Sequence, residues 1–106
     1  MYDNERLIDG TILTTSAATV FTNSATTASY LKVISLHNYG SEAAEVKLYD
    51  GIAGDATQCF LENLGAGETV MWDIPWGGIK KEGVEVFQAV CDVATTVNIR
   101  AFGGAE

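Results

Sequence analysis

A chain of 106 residues has the length of one domain, long enough to close a single hydrophobic core and too short for two ordinary ones. Apolar residues make up 47% and charged residues 19%, which excludes a disordered chain. The 11 glycines and abundant Thr and Val favour turns and strands over helices. A net charge of −8 leaves no basic surface to neutralise phosphates, so neither direct nucleic-acid binding nor attachment to an anionic membrane is expected.

No apolar run approaches the roughly 20 residues of a membrane span, and "MYDNERLIDG" lacks the basic start and apolar stretch of a signal peptide. The expected setting is the cytoplasm where the chain is made, or a particle that leaves it. This polar start, residues 1–9, reads as an N-terminal arm ahead of a single domain over residues 10–106. Tyr2, Leu7 and Ile8 stand among charges there, too few to fold alone yet enough to order on a neighbour.

Apolar residues alternate with period two along the chain, bounded by Gly, Asn and Asp, and no helical period persists. "GTILTTSA" and "ATVFT" read as two short strands or one bent strand, followed by the polar link "NSATTA". "SYLKVISLHN" is the strongest strand. Strict alternation places Lys32, Ile34, Leu36 and Asn38 on one face and Leu31, Val33, Ser35 and His37 on the other, the two-sided pattern of a central strand. The turn "NYGSEAA" leads to "EVKLYD", and this pair reads as an antiparallel hairpin. Then come the loop "DGIAGDA", the strand "QCFLENL", the turn "GAGE", the strand "TVMWDI", the interruption "PWGG", a short "IKK", and the strands "VEVFQAVC" and "TTVNIRAF". The expected fold class is all-β: an antiparallel β-sandwich of roughly seven to nine short strands, for which jelly-roll and immunoglobulin-like orders both fit.

Several residue groups invite a chemical reading. His37 would need a nearby Ser or Cys and a carboxylate to act in nucleophilic catalysis, and no motif surrounds it. "DGIAGD", Asp50–Asp55, gathers acids and glycines as a calcium loop does, but it has too few ligands and suits a tight turn better, so no metal or cofactor is expected. Asp73, Glu82 and Glu85 would have to converge to serve glycoside hydrolysis. Cys59 and Cys91 read as reduced packing residues, with a bridge open to them if their strands face each other. Trp72, in phase with Val70 and Ile74, reads as core. Trp76, between Pro75 and Gly77-Gly78, cannot continue a ladder and reads as a rim residue. With Tyr39 or Tyr49 it would make a sugar-stacking platform, the alternative to a protein contact.

The ordered motifs "LKVISLHNYGSEAAEVKLYDG", "LENLGAGETVMWDI", "GIKKEGVEVFQA" and "TTVNIRAFGG" resemble small virion proteins of tailed bacteriophages, over roughly Gly10 to Gly104. That family pattern has a strand ending in Asn, a small-residue turn, a "V-x-L-Y" strand and an "L-x-A-G-E-T" turn. The resemblance implies a β-sandwich without enzymatic activity, used as a capsid decoration (cement) protein or as another head, connector or tail component. A decoration protein would bind the major capsid protein on the outer capsid surface and cluster as a homo-oligomer, a trimer being favoured. Its contacts are expected at Trp76, Tyr39, Tyr2, Leu7 and Ile8. The Trp-Pro-Trp cluster departs from the family pattern and points to a contact special to this chain.

Overall fold

The computed structural model describes residues 3–23, 28–75, 78–93 and 96–105. Nine strands lie among them: β1 (Asp3–Ile12), β2 (Ala18–Thr22), β3 (Ser29–Asn38), β4 (Ala44–Tyr49), β5 (Gln58–Leu64), β6 (Thr69–Asp73), β7 (Ile79–Lys81), β8 (Val86–Cys91) and β9 (Val97–Ala105). One sheet runs β1-β9-β3-β6, with β7 following β6 along β3, and the other runs β2-β8-β4-β5. The β-sandwich inferred from alternation is therefore present, and its strand order decides between the two candidates.

Every pairing is antiparallel, and five of them nest: β4 with β5, β3 with both β6 and β7, β2 with β8, and β1 with β9. The chain is thus one long antiparallel ribbon folded at the β4–β5 loop. Rolling that ribbon into two layers brings β9 beside β3 and β8 beside β4, which makes a jelly roll. The hairpin expected between "SYLKVISLHN" and "EVKLYD" does not form. β3 and β4 lie in opposite sheets, and the connection from Tyr39 to Ala43 carries the chain across the core.

Alternation builds the core. Val46 and Leu48 of β4, Phe87 and Ala89 of β8, Ile34 and Leu36 of β3, and Val97, Ile99 and Ala101 of β9 are all buried between the layers. Burying such side chains supplies the dominant favourable term, about 1.5–3 kcal/mol for each large one. In β3 the strict alternation fails at one point. An extra residue, Lys32, sits between the pairs Leu31–Gly103 and Val33–Phe102, and this bulge turns Leu31 into the core with Ile34 while Val33 stays half-buried. The Lys32 carbonyl accepts the Ile74 amide at 2.9 Å.

The N-terminal boundary also differs from expectation. Residues 3–12 are not an arm but the strand β1, in register with β9 from Asp3–Ala105 to Ile12–Asn98. Ile8 is only 1% exposed and Leu7 packs partly buried against the core. Ile8 supplies an apolar face that the sandwich needs, so the charges around it disguise a strand.

Candidate assembly surfaces

At one end of the sandwich, Asn38 closes β3 and is fully buried. Its Nδ2 donates to the carbonyls of Glu42 (2.7 Å) and Leu64 (3.1 Å), and its Oδ1 accepts the Gly40 amide at 2.9 Å. Its backbone joins Glu68 and Gly67 of the "GAGE" turn. A buried side-chain amide with its bonds satisfied specifies one loop arrangement, because any other would leave it unpaired. Gly40 has no alternative there, since a Cβ would lie 2.8 Å from Cβ of Thr96. Tyr39 is therefore an exposed ring on a turn fixed on both sides.

At the opposite end, Asn23 and Ser29 are buried and bonded at 2.6 Å, and Asn23 Nδ2 reaches the Gly83 carbonyl at 2.9 Å. Lys81 is buried with its ammonium on the Asp50 carboxylate. A groove of about 360 Å³ opens above this pair, with exposed Ile52 and Val84 on its lips. The "DGIAGD" loop is a tight turn here: Asp50 and Thr57 are bonded through the backbone at 2.8 Å, and Thr57 Oγ1 donates to the Ile52 carbonyl at 2.6 Å. Among the described residues no group of three His, Cys, Asp or Glu side chains comes together as a metal site.

The other candidate chemistries are not assembled. His37 has Nδ1 2.7 Å from Thr69 Oγ1, in the sheet that holds neither cysteine. Glu85 accepts the Glu82 amide at 2.7 Å, Glu82 pairs with Lys80, and Asp73 sits opposite Val33 on a different strand. Cys59 and Cys91 are free thiols, each donating to a carbonyl, Leu48 and Val93 respectively. Burial first, then the Asp50 charge, pushes the Cys59 thiol up to about 11, and burial also raises Cys91. A thiol held protonated is a poor nucleophile.

Trp76 and Tyr2 lie outside the described residues. The flanks of Trp76 are placed: Ile74 is bonded to Lys32, and Gly78, at φ +99°, passes so close to β3 that a Cβ would be 2.5 Å from the Leu31 carbonyl oxygen. These flanks stand about 20 Å along β3 from Tyr39, at the usual rise per residue. Tyr49 is buried in the other sheet. The sugar platform rests on Trp76 and so lies outside the described residues, and Ile8, expected as a contact, is buried in the core.

The surface that sequence reasoning missed is the long side formed by the edge strands β5 and β6. Phe60 of β5 and Trp72 of β6 stack across the seam with centroids 4.6 Å apart and planes at 23°. Both are partly buried against the core, so Trp72 is a seam residue rather than a fully enclosed one. Beside them Leu61 is 49% exposed and Met71 63% exposed. The available signal was an apolar residue out of phase, Leu61 between Phe60 and Glu62 and Met71 between Val70 and Trp72.

No protein-family model matches the chain, and no curated relative aligns with it. Among solved structures, it is similar to a chain of the virus-like particle of extra small virus from the giant freshwater prawn Macrobrachium rosenbergii, with TM-score 0.57 and 10% identity over 99% of this chain and 77% of that one. It is also similar to a protein of Bacillus endospore appendages, described as disulfide-linked pili, with TM-score 0.53 and 6% identity over 98% of this chain and 86% of that one. At these identities the likeness is one of fold, and the fold is shared by proteins of a viral particle and of a pilus.

Proposed function

We propose that the chain is a non-enzymatic structural protein of a bacteriophage virion, a decoration subunit that binds the major capsid protein on the outer surface and strengthens the shell. The observation that carries this reading is a jelly roll whose β5/β6 side presents two nearly uncharged edge strands with exposed Leu61 and Met71. Exposed apolar edges are templates for pairing with other chains, and soluble monomers ordinarily suppress them. The motif resemblance to tailed-phage virion proteins and the fold shared with a virus-like particle support it. Self-association accompanies capsid binding, with Tyr39 on its fixed turn, Trp76 and Tyr2 as the further contacts.

Co-sedimentation with undecorated capsids assembled from the major capsid protein of the same genome tests the reading. Saturable binding at micromolar concentration, with the bound chain accessible to surface proteolysis, is expected. Absence of binding, or occupancy confined to purified tails, overturns the decoration role.

A further inference from the structure

The partner of the β5/β6 side can be specified from its geometry, and the inference deepens the assembly reading on which it rests. We propose that a second copy of this chain docks there, related by a two-fold axis that passes through Leu61 and Met71 perpendicular to both sheets. β5 would then pair with the partner's β5 and β6 with the partner's β6, and the two sandwiches would become one continuous double layer.

Three observations lead to this occupant. The first is alignment. β5 and β6 run in opposite directions on one side of the sandwich, and the Phe60–Trp72 stack fixes their relative position. With Phe60 over Trp72, the neighbouring Leu61 lies over Met71, so one axis can pass through the middle of both strands. A two-fold axis perpendicular to a sheet sets an edge strand antiparallel to its own copy and keeps inward and outward faces matched, as a self-complementary interface requires.

The second observation is charge. β5 carries one ionisable carboxylate, Glu62, and β6 carries one, Asp73. Pairing about Leu61 puts Leu61 across from the partner's Leu61 and Phe60 across from the partner's Glu62. Pairing about Met71 puts Met71 across from the partner's Met71, Val70 from the partner's Trp72, and Thr69 from the partner's Asp73. Moving the axis to Glu62 or Asp73 would oppose like charges directly, which is destabilising. The acids thereby exclude the axis positions at Glu62 and Asp73; of the positions left at the Phe60–Trp72 and Leu61–Met71 levels, the second sets the two exposed apolar side chains against their own copies.

The third observation is that the opposite side is guarded and this one is not. β1 has two bulges against β9, and β2 is short and bulged against β8. These are the devices by which edges avoid pairing. β6 has no register shift, and the bulge of β5 lies at Cys59, at the beginning of the strand. An antiparallel two-fold uses only the unguarded side and closes at two copies, so it gives a dimer and not a fibre.

The mass of the full chain at micromolar concentration, by light scattering or sedimentation, should be that of a dimer. In the double variant Leu61→Lys, Met71→Lys, two ammonium groups would meet across the axis at each layer. Dimer affinity should fall at least about a hundredfold, to a folded monomer. Independently, Leu61→Cys should form an intermolecular disulfide on mild oxidation, because directly opposed residues of an antiparallel pair bring their Cβ atoms to about 4.5–5.5 Å. Wild type and Val84→Cys should not. A wild-type monomer or trimer, a double lysine variant that remains dimeric, or Leu61→Cys that cross-links no faster than Val84→Cys overturns the proposal. Capsid co-sedimentation is scored separately. Binding without dimerisation would sink the two-fold and leave the decoration role standing, and dimerisation without binding would do the reverse.

Discussion

The two long sides of the sandwich close the same core by different means. On the β1/β2 side Ile8 and Leu13 are buried to 1% and 2% exposure, and the strands there are bulged or short. On the β5/β6 side the closure is the Phe60–Trp72 stack, still reachable by solvent, flanked by Leu61 and Met71. The first arrangement is finished within one chain. The second leaves apolar surface and a row of outward amides and carbonyls whose pairing another chain would complete. One side is therefore finished by folding and the other is the side proposed for assembly, and substitutions should separate the two.

The largest effect is expected where folding alone is at stake. Removing residues 1–8 takes away Ile8 and most of the ladder that covers β9. The loss should exceed about 5 kcal/mol, which is comparable with the entire stability of a domain this size. Thermal unfolding followed by circular dichroism should show no cooperative transition, and Ile8→Ala alone should cost about 3 kcal/mol. A truncated chain that melts like wild type would mean that β1 is dispensable, and the contrast between the sides would collapse.

A smaller effect is expected on the seam. A fully enclosed indole would cost about 3–5 kcal/mol on truncation, but Trp72 is only partly covered, so Trp72→Ala should cost about 2 kcal/mol, including its stacking on Phe60. Chemical denaturation of the monomeric background, with Leu61 and Met71 replaced by lysine, measures this without the contribution of self-association. A cost equal to that of a buried tryptophan would move Trp72 from the seam into the core.

How much of this contrast could be read from sequence depends on how local each cause is. The strands were legible because alternation is a property of neighbours: β4 buries Val46 and Leu48 and turns Lys47 outward, as its pattern demands. The jelly-roll order was not, because it rests on pairings such as β1 with β9 and β2 with β8 that join distant segments. Bulges defeat alternation in the same way. Nothing in "YLKVIS" marks Lys32 as the extra residue that sends Leu31 to the core; the shift is defined only against Gly103 and Phe102 of β9. The N-terminal segment looked like an arm because the charges of an edge strand resemble those of a solvated tail. Of the expected contacts Tyr39 is exposed and Ile8 is enclosed, and the two cases differ in whether a partner strand lies alongside.

The smallest expected effect sharpens the comparison within the assembly side, at Cys59, the extra residue of the β5 bulge. Burial, then the neighbouring Asp50, raises the ionisation of this thiol to about 11, whereas an unfolded chain ionises it near the ordinary value of 9.0. Ionisation thus favours the unfolded state. The stability that Cys59 contributes is fully present below the unfolded value, declines as pH rises from there through about 11, and is constant above it. Alkylation of the native protein should consequently rise about tenfold per pH unit from 8 to 10 with no plateau, since the thiolate is the reacting form. Asp50→Asn, which removes the repelling charge, should move the curve to lower pH while leaving its slope unchanged. The same substitution deprives Lys81 of its carboxylate, so the rates must be compared at temperatures well below the variant's melting point. A plateau near pH 9 would show the thiol to be open to solvent at the edge, and β5 would then have to be frayed where the two-fold pairing needs it straight.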